Sequence, residues 1–301
     1  MGIDVQDADI PAQVRHVLPE YPLTEWIPQR IGQWLYHRLR SWGYARHGRP
    51  LNTIRRRHGL PPLEGDLRHA LADADWTLFP DLNRLFPNSA LAKNHCFMAP
   101  VSWSPTVPLP RWWDRLPVDR PVVYANLGSS GRHGVLQRVL NALSALPVTV
   151  IAATAGRQPG LTVPPNAFIT DFLPGQDAAR RSDLVITNGG NMSGYQALAE
   201  GKPILGLASN VDQFLNMAAL EDAGVGKLLR SGSFSSQDLQ TAVQELLNNP
   251  NVRQTAQSVG LDIVGSSNHA FQNILDKVLS PILEKKENPN HEKELSRFHS
   301  L

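Results

Sequence analysis

The 301-residue sequence is long enough for two domains of ordinary size or for one large domain. Hydrophobic residues make up 42% of it and charged residues 19%, a balance that excludes a mostly disordered or collagen-like protein. The formal net charge is only +2, so no overall field indicates a nucleic acid as the partner. Cys96 is the single cysteine, which excludes an intramolecular disulfide and a cysteine-cluster metal site.

Two further absences bear on localisation. No apolar run approaches the roughly 18 residues that a membrane-spanning helix requires. The first residues also lack the basic and apolar regions of a secretory signal. We therefore expect a cytoplasmic protein, with membrane association left open by the segment described next.

Residues 13–60 form a basic segment in which nine arginines stand against two acidic residues. Tryptophans and tyrosines are interleaved with these arginines over 26–57, and apolar residues recur at helical spacing over 27–44, which predicts an amphipathic helix. Either this helix packs on a domain with a solvated basic face, or the segment 26–57 makes peripheral contact with an anionic membrane or a lipid-like acceptor. Nucleic-acid binding is not favoured, because the tryptophans lie at packing intervals and no recognised module is present.

The chain up to residue 121 is predicted to contain a helix over 67–72 and short strands over 76–79 and 95–99. Residues 100–121 are rich in proline and tryptophan, so they cannot form a regular helix or a central strand. We interpret them as an extended interdomain linker with aromatic anchors. The expected organisation is an N-terminal region over 1–99, a linker over 100–120, a second domain over 121–283 and a loose polar tail over 284–301.

Beyond the linker, predicted strands alternate with predicted helices. The strands are expected over 122–126, 148–153, 168–172, 184–187, 204–208 and 226–229. The helices are expected over 134–146, 192–200, 211–223, 237–247, 252–264 and 269–279. This alternation predicts an α/β fold, with a doubly wound parallel sheet covered by helices on both faces.

Two glycine-rich turns stand where a predicted strand ends and a helix begins. The first spans 126–131 (Asn-Leu-Gly-Ser-Ser-Gly) and the second spans 187–193 (Thr-Asn-Gly-Gly-Asn-Met-Ser). Ligands of doubly wound sheets bind at such places, and an exposed helix N-terminus favours an anion by about 0.3–1 kcal/mol. Two converging termini can hold a diphosphate. Each turn alone is a weak signal, since glycine also occurs in tight turns for steric reasons, and neither matches the P-loop or the three-glycine dinucleotide fingerprint.

Three short motifs follow one another along the second domain: Phe172-Leu173-Pro174, then Asn188-Gly189-Gly190 with Ser193 and Gln196, then Asp212-Gln213. In this order and spacing they resemble the C-terminal, donor-binding domain of glycosyltransferases of the UDP-glycosyltransferase superfamily. The resemblance covers residues 121–281 and the linker. It implies the GT-B fold, with one complete Rossmann-like donor domain preceded by a partial N-terminal α/β domain.

The resemblance also implies a role for each motif residue. Phe172 would stack on the nucleotide base, and the Leu173 backbone would pair with the base edge. Gln196 would reach the ribose. Asp212 and Gln213 would hold hydroxyls of the donor sugar, although an acid at the position of Asp212 also suits a helix N-terminus. The diphosphate would lie between the two turns, held by Gly189, Gly190, Met192 and Ser193 on one side and by Gly128, Ser129 and Ser130 on the other.

Two residues depart from the family pattern. Asn188 replaces the histidine that contacts the departing phosphate, and because an amide cannot be cationic, the helix termini would supply most of the stabilisation. Gln196 replaces a glutamate, so it can still bond hydroxyls but without charge assistance. No metal site is implied, and no cofactor is expected beyond the nucleotide sugar as co-substrate.

The N-terminal region is shorter than a GT-B enzyme requires. The opening βαβ units of the family, and the histidine base that they present, have no counterpart here, so the catalytic residues stay unassigned. A positioned base contributes roughly 10²–10⁴-fold in rate. A truncated gene, an alternative start or a partner subunit that completes the domain would each account for the difference.

The function that the resemblance implies is transfer of a hexose from a UDP- or dTDP-sugar to a hydroxyl of a small, hydrophobic acceptor, with inversion. Two alternatives stay open. One is a non-catalytic accessory subunit of a partner glycosyltransferase, and the other is a sugar-nucleotide epimerase on the same fold.

Overall fold

The computed structural model describes residues 29–63, 74–86, 92–128, 134–156 and 160–280. The helix predicted over 67–72, the tail over 284–301, and Ser129 and Ser130 of the first glycine turn lie outside these ranges. The described chain opens with helix α1 (Gln29–Arg57). This helix continues well past the predicted end at Tyr44 and includes Pro50.

Two short strands follow α1. They are β1 (Thr77–Phe79) and β2 (His95–Phe97), which pair in parallel with Leu78 opposite Cys96. The linker then runs without regular structure to a 3₁₀ turn at Trp113–Arg115. The Trp112 ring lies 5.6 Å from the Phe168 ring between centroids, so an aromatic contact fastens the linker to the second domain.

Six parallel strands form the main sheet of the described chain. They are β3 (Val122–Asn126), β4 (Thr149–Ala153), β5 (Ala167–Thr170), β6 (Leu184–Thr187), β7 (Ile204–Ala208) and β8 (Gly226–Arg230). Their spatial order is β5-β4-β3-β6-β7-β8. The chain moves outward from β3 to β5, returns to β6 beside β3, and then moves outward on the other side. A crevice therefore opens between the carboxyl ends of β3 and β6.

Six helices are associated with this sheet in the described chain: α2 (Val135–Leu143), α3 (Gly175–Arg181), α4 (Asn191–Ala199), α5 (Val211–Asp222), α6 (Ser236–Asn248) and α7 (Pro250–Ile274). None of the described helices is long and apolar enough to cross a membrane. Helix α7 continues into a π-helical turn at Leu275–Leu279. The two helices predicted over 252–264 and 269–279 are thus one continuous element. Gly265 does not interrupt it, because a glycine inside a helix costs only about 1 kcal/mol and α7 packs against α4.

Alternate residues of each strand face two separate cores. Val122 and Tyr124 belong to the core that contains residues of α3, α4 and α7, whereas Val123 and Ala125 belong to the core that contains residues of α2 and α6. The strands read as continuous apolar runs because both faces of the sheet are covered. Ligands are therefore expected at the loops along the carboxyl edge.

The segment after β1 packs onto the second domain. Its apolar residues join the first core (Leu82, Leu85 and Phe86). The Tyr195 hydroxyl of α4 donates a hydrogen bond to Asp81 Oδ1 at 2.6 Å, and both groups are buried. Because a buried hydrogen bond and apolar burial act together here, this segment and α4 are held in one arrangement.

Candidate functional site

The two glycine turns meet in the crevice between β3 and β6. Gly128 has a φ of +61°, and its N–H donates to the Asn126 side-chain oxygen at 3.1 Å. A Cβ atom at Gly128 would lie 3.2 Å from Asn188 Nδ2. Glycine therefore supplies both the left-handed backbone and the close approach at this position. The structure brings Gly128 and Asn188 side by side, from turns that are far apart in the sequence.

The second turn is shaped by its own side chains. The Gly189 N–H donates to Thr187 Oγ1 at 2.7 Å, and the Gly190 N–H donates to Asn188 Oδ1 at 3.1 Å. Asn188 is 8% exposed. Its oxygen holds the turn, while its nitrogen lies on the side of Gly128 and is the group that can donate to a bound phosphate.

Helix α4 begins directly after this turn, and its N-cap residue Gly190 offers no side chain to cap it. The first turn of α4 also contains no acidic residue. The starts of α2 and α3 also lack a side-chain cap, whereas the Asn210 side chain caps α5 and the Ser235 side chain caps α6. The first N–H groups of α4, at Met192 and Ser193 among others, are therefore suited to an anion, which the helix dipole also favours.

Phe172 follows β5 at the same edge of the sheet, beside the loop after β4. Its side chain is 56% exposed, and its Cζ atom lies 3.9 Å from the position of a Cβ at Gly156. The Thr154 hydroxyl donates to Asp171 at 2.7 Å and joins the two loops. An exposed ring fixed in this way can stack on a base. Leu173 is buried, which leaves its backbone as the part that a ligand can meet.

Asp212 and Gln213 begin α5, and their environments differ. Asp212 is exposed in the first turn, whereas Gln213 is 2% exposed. The Gln213 side-chain oxygen accepts hydrogen bonds from the Ser209 N–H at 2.9 Å and from the Ser209 hydroxyl at 3.1 Å. That oxygen is used within the loop, so the amide N–H group is what Gln213 can offer to a sugar.

Gln196 is 6% exposed and joins three segments. Its Nε2 donates to the carbonyl oxygen of Trp103 in the linker at 2.6 Å. Its Oε1 lies against the start of α3, where a Cβ at Gly175 would be only 2.3 Å away. The Trp103 N–H donates to Met192 Sδ at 3.3 Å. The side chain that was predicted to reach the ribose thus already has a partner within the chain.

Asn216 is a supporting residue that the sequence prediction missed. Its Nδ2 donates to the Gly189 carbonyl at 3.3 Å, and its Oδ1 is buried without a hydrogen-bond partner. It lines a cleft of about 250 Å³, open mouth included, together with Phe86 and Tyr195. The helical spacing from Asp212 to Asn216 is the signal that could have revealed it, since residues four apart share a helix face.

Asp81 was also missed, because its partner Tyr195 is 114 positions away in the sequence. The carboxyl group is 1% exposed. Burial raises the pKa of Asp81 above its usual value, and the hydrogen bond from Tyr195 opposes that rise. Across the described ranges, no three His, Cys, Asp or Glu side chains come together as a metal-binding cluster.

Comparison with known proteins identifies relatives of this chain. Residues 137–271 match the family model of the erythromycin biosynthesis protein CIII-like C-terminal domain. A PGL/p-HBAD biosynthesis glycosyltransferase of Mycobacterium tuberculosis (strain ATCC 25177 / H37Ra) is 47% identical over 262 residues, which are 86% of this chain and 61% of that protein. A PGL/p-HBAD biosynthesis rhamnosyltransferase of Mycobacterium bovis (strain BCG / Pasteur 1173P2) is also 47% identical over 262 residues, or 58% of its length. The chain belongs to the UDP-glycosyltransferase superfamily.

The chain shares its fold with solved structures of glycosyltransferases that have the GT-B fold. A spinosyn forosaminyltransferase aligns with a TM-score of 0.63 at 20% identity and covers 77% of this chain and 61% of its own. A spinosyn rhamnosyltransferase complexed with thymidine diphosphate aligns with a TM-score of 0.58 at 20% identity, over 73% of this chain and 60% of its own. At this identity the comparison concerns the fold.

This superfamily member spans about 60% of the length of the curated relatives it matches, 61% of one and 58% of the other. A relative of Mycobacterium bovis (strain BCG / Pasteur 1173P2) that bears the name inactive PGL/p-HBAD biosynthesis glycosyltransferase is 46% identical over 132 residues, which are 44% of this chain and 36% of that protein.

Proposed function

We propose that this chain carries the nucleotide-sugar site of a glycosyltransferase. The complete enzyme would transfer a hexose from a UDP- or dTDP-sugar to a hydroxyl of a small, hydrophobic acceptor, with inversion and without a metal. The observation that carries the proposal is the meeting of the Gly128 and Asn188 turns at the uncapped start of α4. A diphosphate is the ligand that such a start favours.

In the proposed reaction, this site would stabilise the nucleoside diphosphate as it leaves. Charge develops on the diphosphate during transfer, and fixed N–H groups aimed at it lower the barrier without reorganisation. Asn188 adds a neutral donor where the family has histidine. Phe172 would stack on the base and Asp212 would hold a sugar hydroxyl. Ser129 and Ser130 are further candidates for binding the diphosphate. The names of the relatives, glycosyltransferase and rhamnosyltransferase, support sugar transfer.

Isothermal titration calorimetry with dTDP and UDP tests the donor site directly. We expect the chain to bind at least one of the two, and Phe172→Ala to weaken that binding about tenfold or more, because base stacking is worth about 1–3 kcal/mol. Trp34→Ala is the matched control, since Trp34 is an aromatic residue of similar exposure on α1. Absence of binding by the unaltered chain to both nucleotides contradicts the proposal.

A non-catalytic accessory subunit is the second candidate, and the name of the inactive relative supports it. Product formation only after a partner glycosyltransferase is added would support the accessory role. Conversion of the nucleotide sugar without any acceptor would instead indicate an epimerase.

We also propose that α1 contacts an anionic lipid surface. Residues 29–63 contain eight arginines and no acidic residue, and Trp34 and Trp42 of α1 are each 63% exposed. Basic helices with exposed tryptophans bind at the headgroup level of a bilayer. Such a contact would bring the site close to a lipid-like acceptor.

A further inference from the structure

The peptide group between Gly189 and Gly190 is held at both of its polar atoms by side-chain amides. The Gly189 carbonyl accepts a hydrogen bond from Asn216 Nδ2 at 3.3 Å, and the Gly190 N–H donates to Asn188 Oδ1 at 3.1 Å. In a trans peptide the carbonyl and the N–H point in opposite directions. The carbonyl is therefore directed towards α5, and the N–H is directed towards Asn188.

The backbone alone does not fix this orientation of the peptide. Rotating a peptide group by half a turn changes ψ of the residue before it and φ of the residue after it, and here both residues are glycine. Gly189 already has a φ of +84°, and glycine adopts positive and negative φ about equally well. The hydrogen bonds from Asn216 and to Asn188 therefore select one of two orientations that the backbone allows.

Asn216 supplies its N–H group at a cost in free energy. The residue is 4% exposed, and its Oδ1 atom is buried without a hydrogen-bond partner in the described part of the chain. A buried amide oxygen that lacks a partner loses the free energy of its hydration. An apolar side chain of similar size would avoid that loss, but it could not donate to the Gly189 carbonyl. The contribution of Asn216 to the second turn therefore comes from its donor.

A reversed peptide would change which atom Asn188 presents to the crevice. The Gly189 carbonyl would then lie on the side of Asn188, whose Oδ1 is also an acceptor and repels it. The Asn188 amide would turn its Nδ2 towards that carbonyl, and Oδ1 would take the place beside Gly128 that Nδ2 has in the structure. An oxygen at this place repels a phosphate, whereas an N–H group donates to it.

We infer that Asn216 is a positioning residue for the diphosphate. By holding the Gly189 carbonyl towards α5, it keeps Asn188 Nδ2 directed at the bound anion. This inference rests on the proposed function, because it concerns how that site holds its diphosphate. Asn216 acts through the peptide between the two glycines, without a contact of its own to the ligand.

Calorimetry on the full chain, with whichever of dTDP and UDP the unaltered protein binds, tests the role of Asn216. Asn216→Leu keeps the approximate size of the side chain and removes its N–H group. We expect about tenfold weaker binding, the effect of losing one hydrogen bond to a charged group. Equal affinities of Asn216→Leu and the unaltered chain overturn the inference and leave the proposed function intact. Absence of binding of both nucleotides to the unaltered chain overturns both.

Asn166→Leu is the matched control. Asn166 Nδ2 also donates to backbone carbonyls, those of Leu143 and Val148, and its Oδ1 is likewise buried without a partner. The residue precedes β5, at the edge of the sheet opposite the candidate site. Asn166→Leu should therefore leave the nucleotide affinity unchanged. A loss of affinity as large as that of Asn216→Leu would show a general loosening of the domain and contradict the positioning role.

A double-mutant cycle tests whether Asn216 acts through Asn188. If it does, Asn216→Leu should change the affinity by about twofold or less in a chain that already carries Asn188→Ala, because the donor that it positions is then missing. Losses of affinity that multiply in the double variant would show that the two residues act independently, and they would overturn the inference.

Asn216→Asp adds a readout by pH, and it carries the test if Asn216→Leu does not fold. A neutral carboxyl group can donate to the Gly189 carbonyl, whereas a carboxylate cannot, and a buried carboxyl is protonated more readily than an exposed one. Relative to the unaltered chain at the same pH, the affinity of Asn216→Asp should rise about threefold or more as the pH is lowered from about 8.5 to about 5.5. A ratio of affinities that stays constant over this range contradicts the inference.

Discussion

At the scale of single residues, the close approach of the second glycine turn to helix α5 determines which side chains fit at Gly189. Gly189 has a φ of +84°, and a Cβ there would lie 2.9 Å from the Gln213 carbonyl oxygen and from Met217 Cγ. Strain and steric conflict therefore coincide at one position. The second turn can approach α5 only because this residue has no side chain.

Gly189→Ala separates these two causes when it is compared with Gly134→Ala. Gly134 has a similar φ of +78° but no atom within 4 Å of a Cβ. We expect Gly134→Ala to cost about 1–2 kcal/mol, the strain of a left-handed residue, and Gly189→Ala to cost at least 1 kcal/mol more. Urea denaturation measures both values. Equal losses in the free energy of unfolding would show that the steric conflict with α5 adds no cost beyond the backbone strain.

Asp212 gives a prediction about ligand recognition at the same scale. Because Asp212 is exposed while the Gln213 oxygen is occupied by Ser209, we expect Asp212 to supply most of the contact with the donor sugar. Asp212→Ala should weaken binding of dTDP-rhamnose about tenfold, in the range of a lost charged hydrogen bond, and leave bare dTDP unaffected. Asp222→Ala, at the far end of α5, is the control. Equal losses for both ligands would reject the sugar-binding role.

At the scale of elements, the segment after β1 and helix α4 are joined through one buried acid. Asp81 has a raised pKa, chiefly because burial disfavours its charged form. In the unfolded chain this carboxyl ionises near its ordinary pKa of 3.8. Between that value and the raised pKa the folded state holds more protons, so stability falls as the pH increases through this window.

Asp81→Asn should remove that pH dependence and keep an acceptor for the Tyr195 hydroxyl. We expect the difference in Tm between variant and unaltered protein to grow in favour of the variant as the pH is raised from about 4 to 7. Tyr195→Phe should act in the opposite direction, since it removes the hydrogen bond that lowers the pKa. Thermal unfolding followed by circular dichroism measures both. Parallel Tm curves for Asp81→Asn and the unaltered protein would contradict the prediction.

Sequence periodicity predicted the strands and most helices of the second domain because their signals are local, but it missed the short helix α3 (Gly175–Arg181). The apolar runs at 122–126 and 204–208 correspond to β3 and β7 as the structure has them. The glycine turns were located by the same reasoning. The contact between Gln196 and Trp103 could not be predicted, because it joins residues 93 positions apart and depends on the path of a linker with no periodicity. The long α1 also exceeded its prediction, since Pro50 indicates an interruption that the structure does not show.

At the scale of the whole molecule, charge is distributed unevenly although the total is only +2. Arg38, Arg46 and Arg49 are spaced to share one face of α1 with Trp42. The Arg46 guanidinium lies over the Trp42 ring, 5.9 Å from its centroid. This concentration of positive charge and exposed tryptophan on α1 is the basis of the proposed contact with an anionic surface.

Sedimentation with vesicles tests this consequence of the charge distribution. We expect binding to vesicles that contain phosphatidylglycerol but not to vesicles of phosphatidylcholine alone. Binding should weaken in 0.5 M salt, because exposed charges are screened. Replacing the three arginines by glutamine should cost about 1 kcal/mol for each, whereas Arg253→Gln on α7 should have no effect. Equal binding to both kinds of vesicle would remove the electrostatic basis of the proposal.

The small sheet formed by β1 and β2 has a consequence for how the chain associates. In the described residues each of these strands has a partner on one side, so two rows of backbone N–H and C=O groups face outward. Such rows accept an added strand readily, and a pair of strands is marginally stable without further neighbours. A further strand placed beside either one would gain hydrogen bonds that the described pair does not make itself.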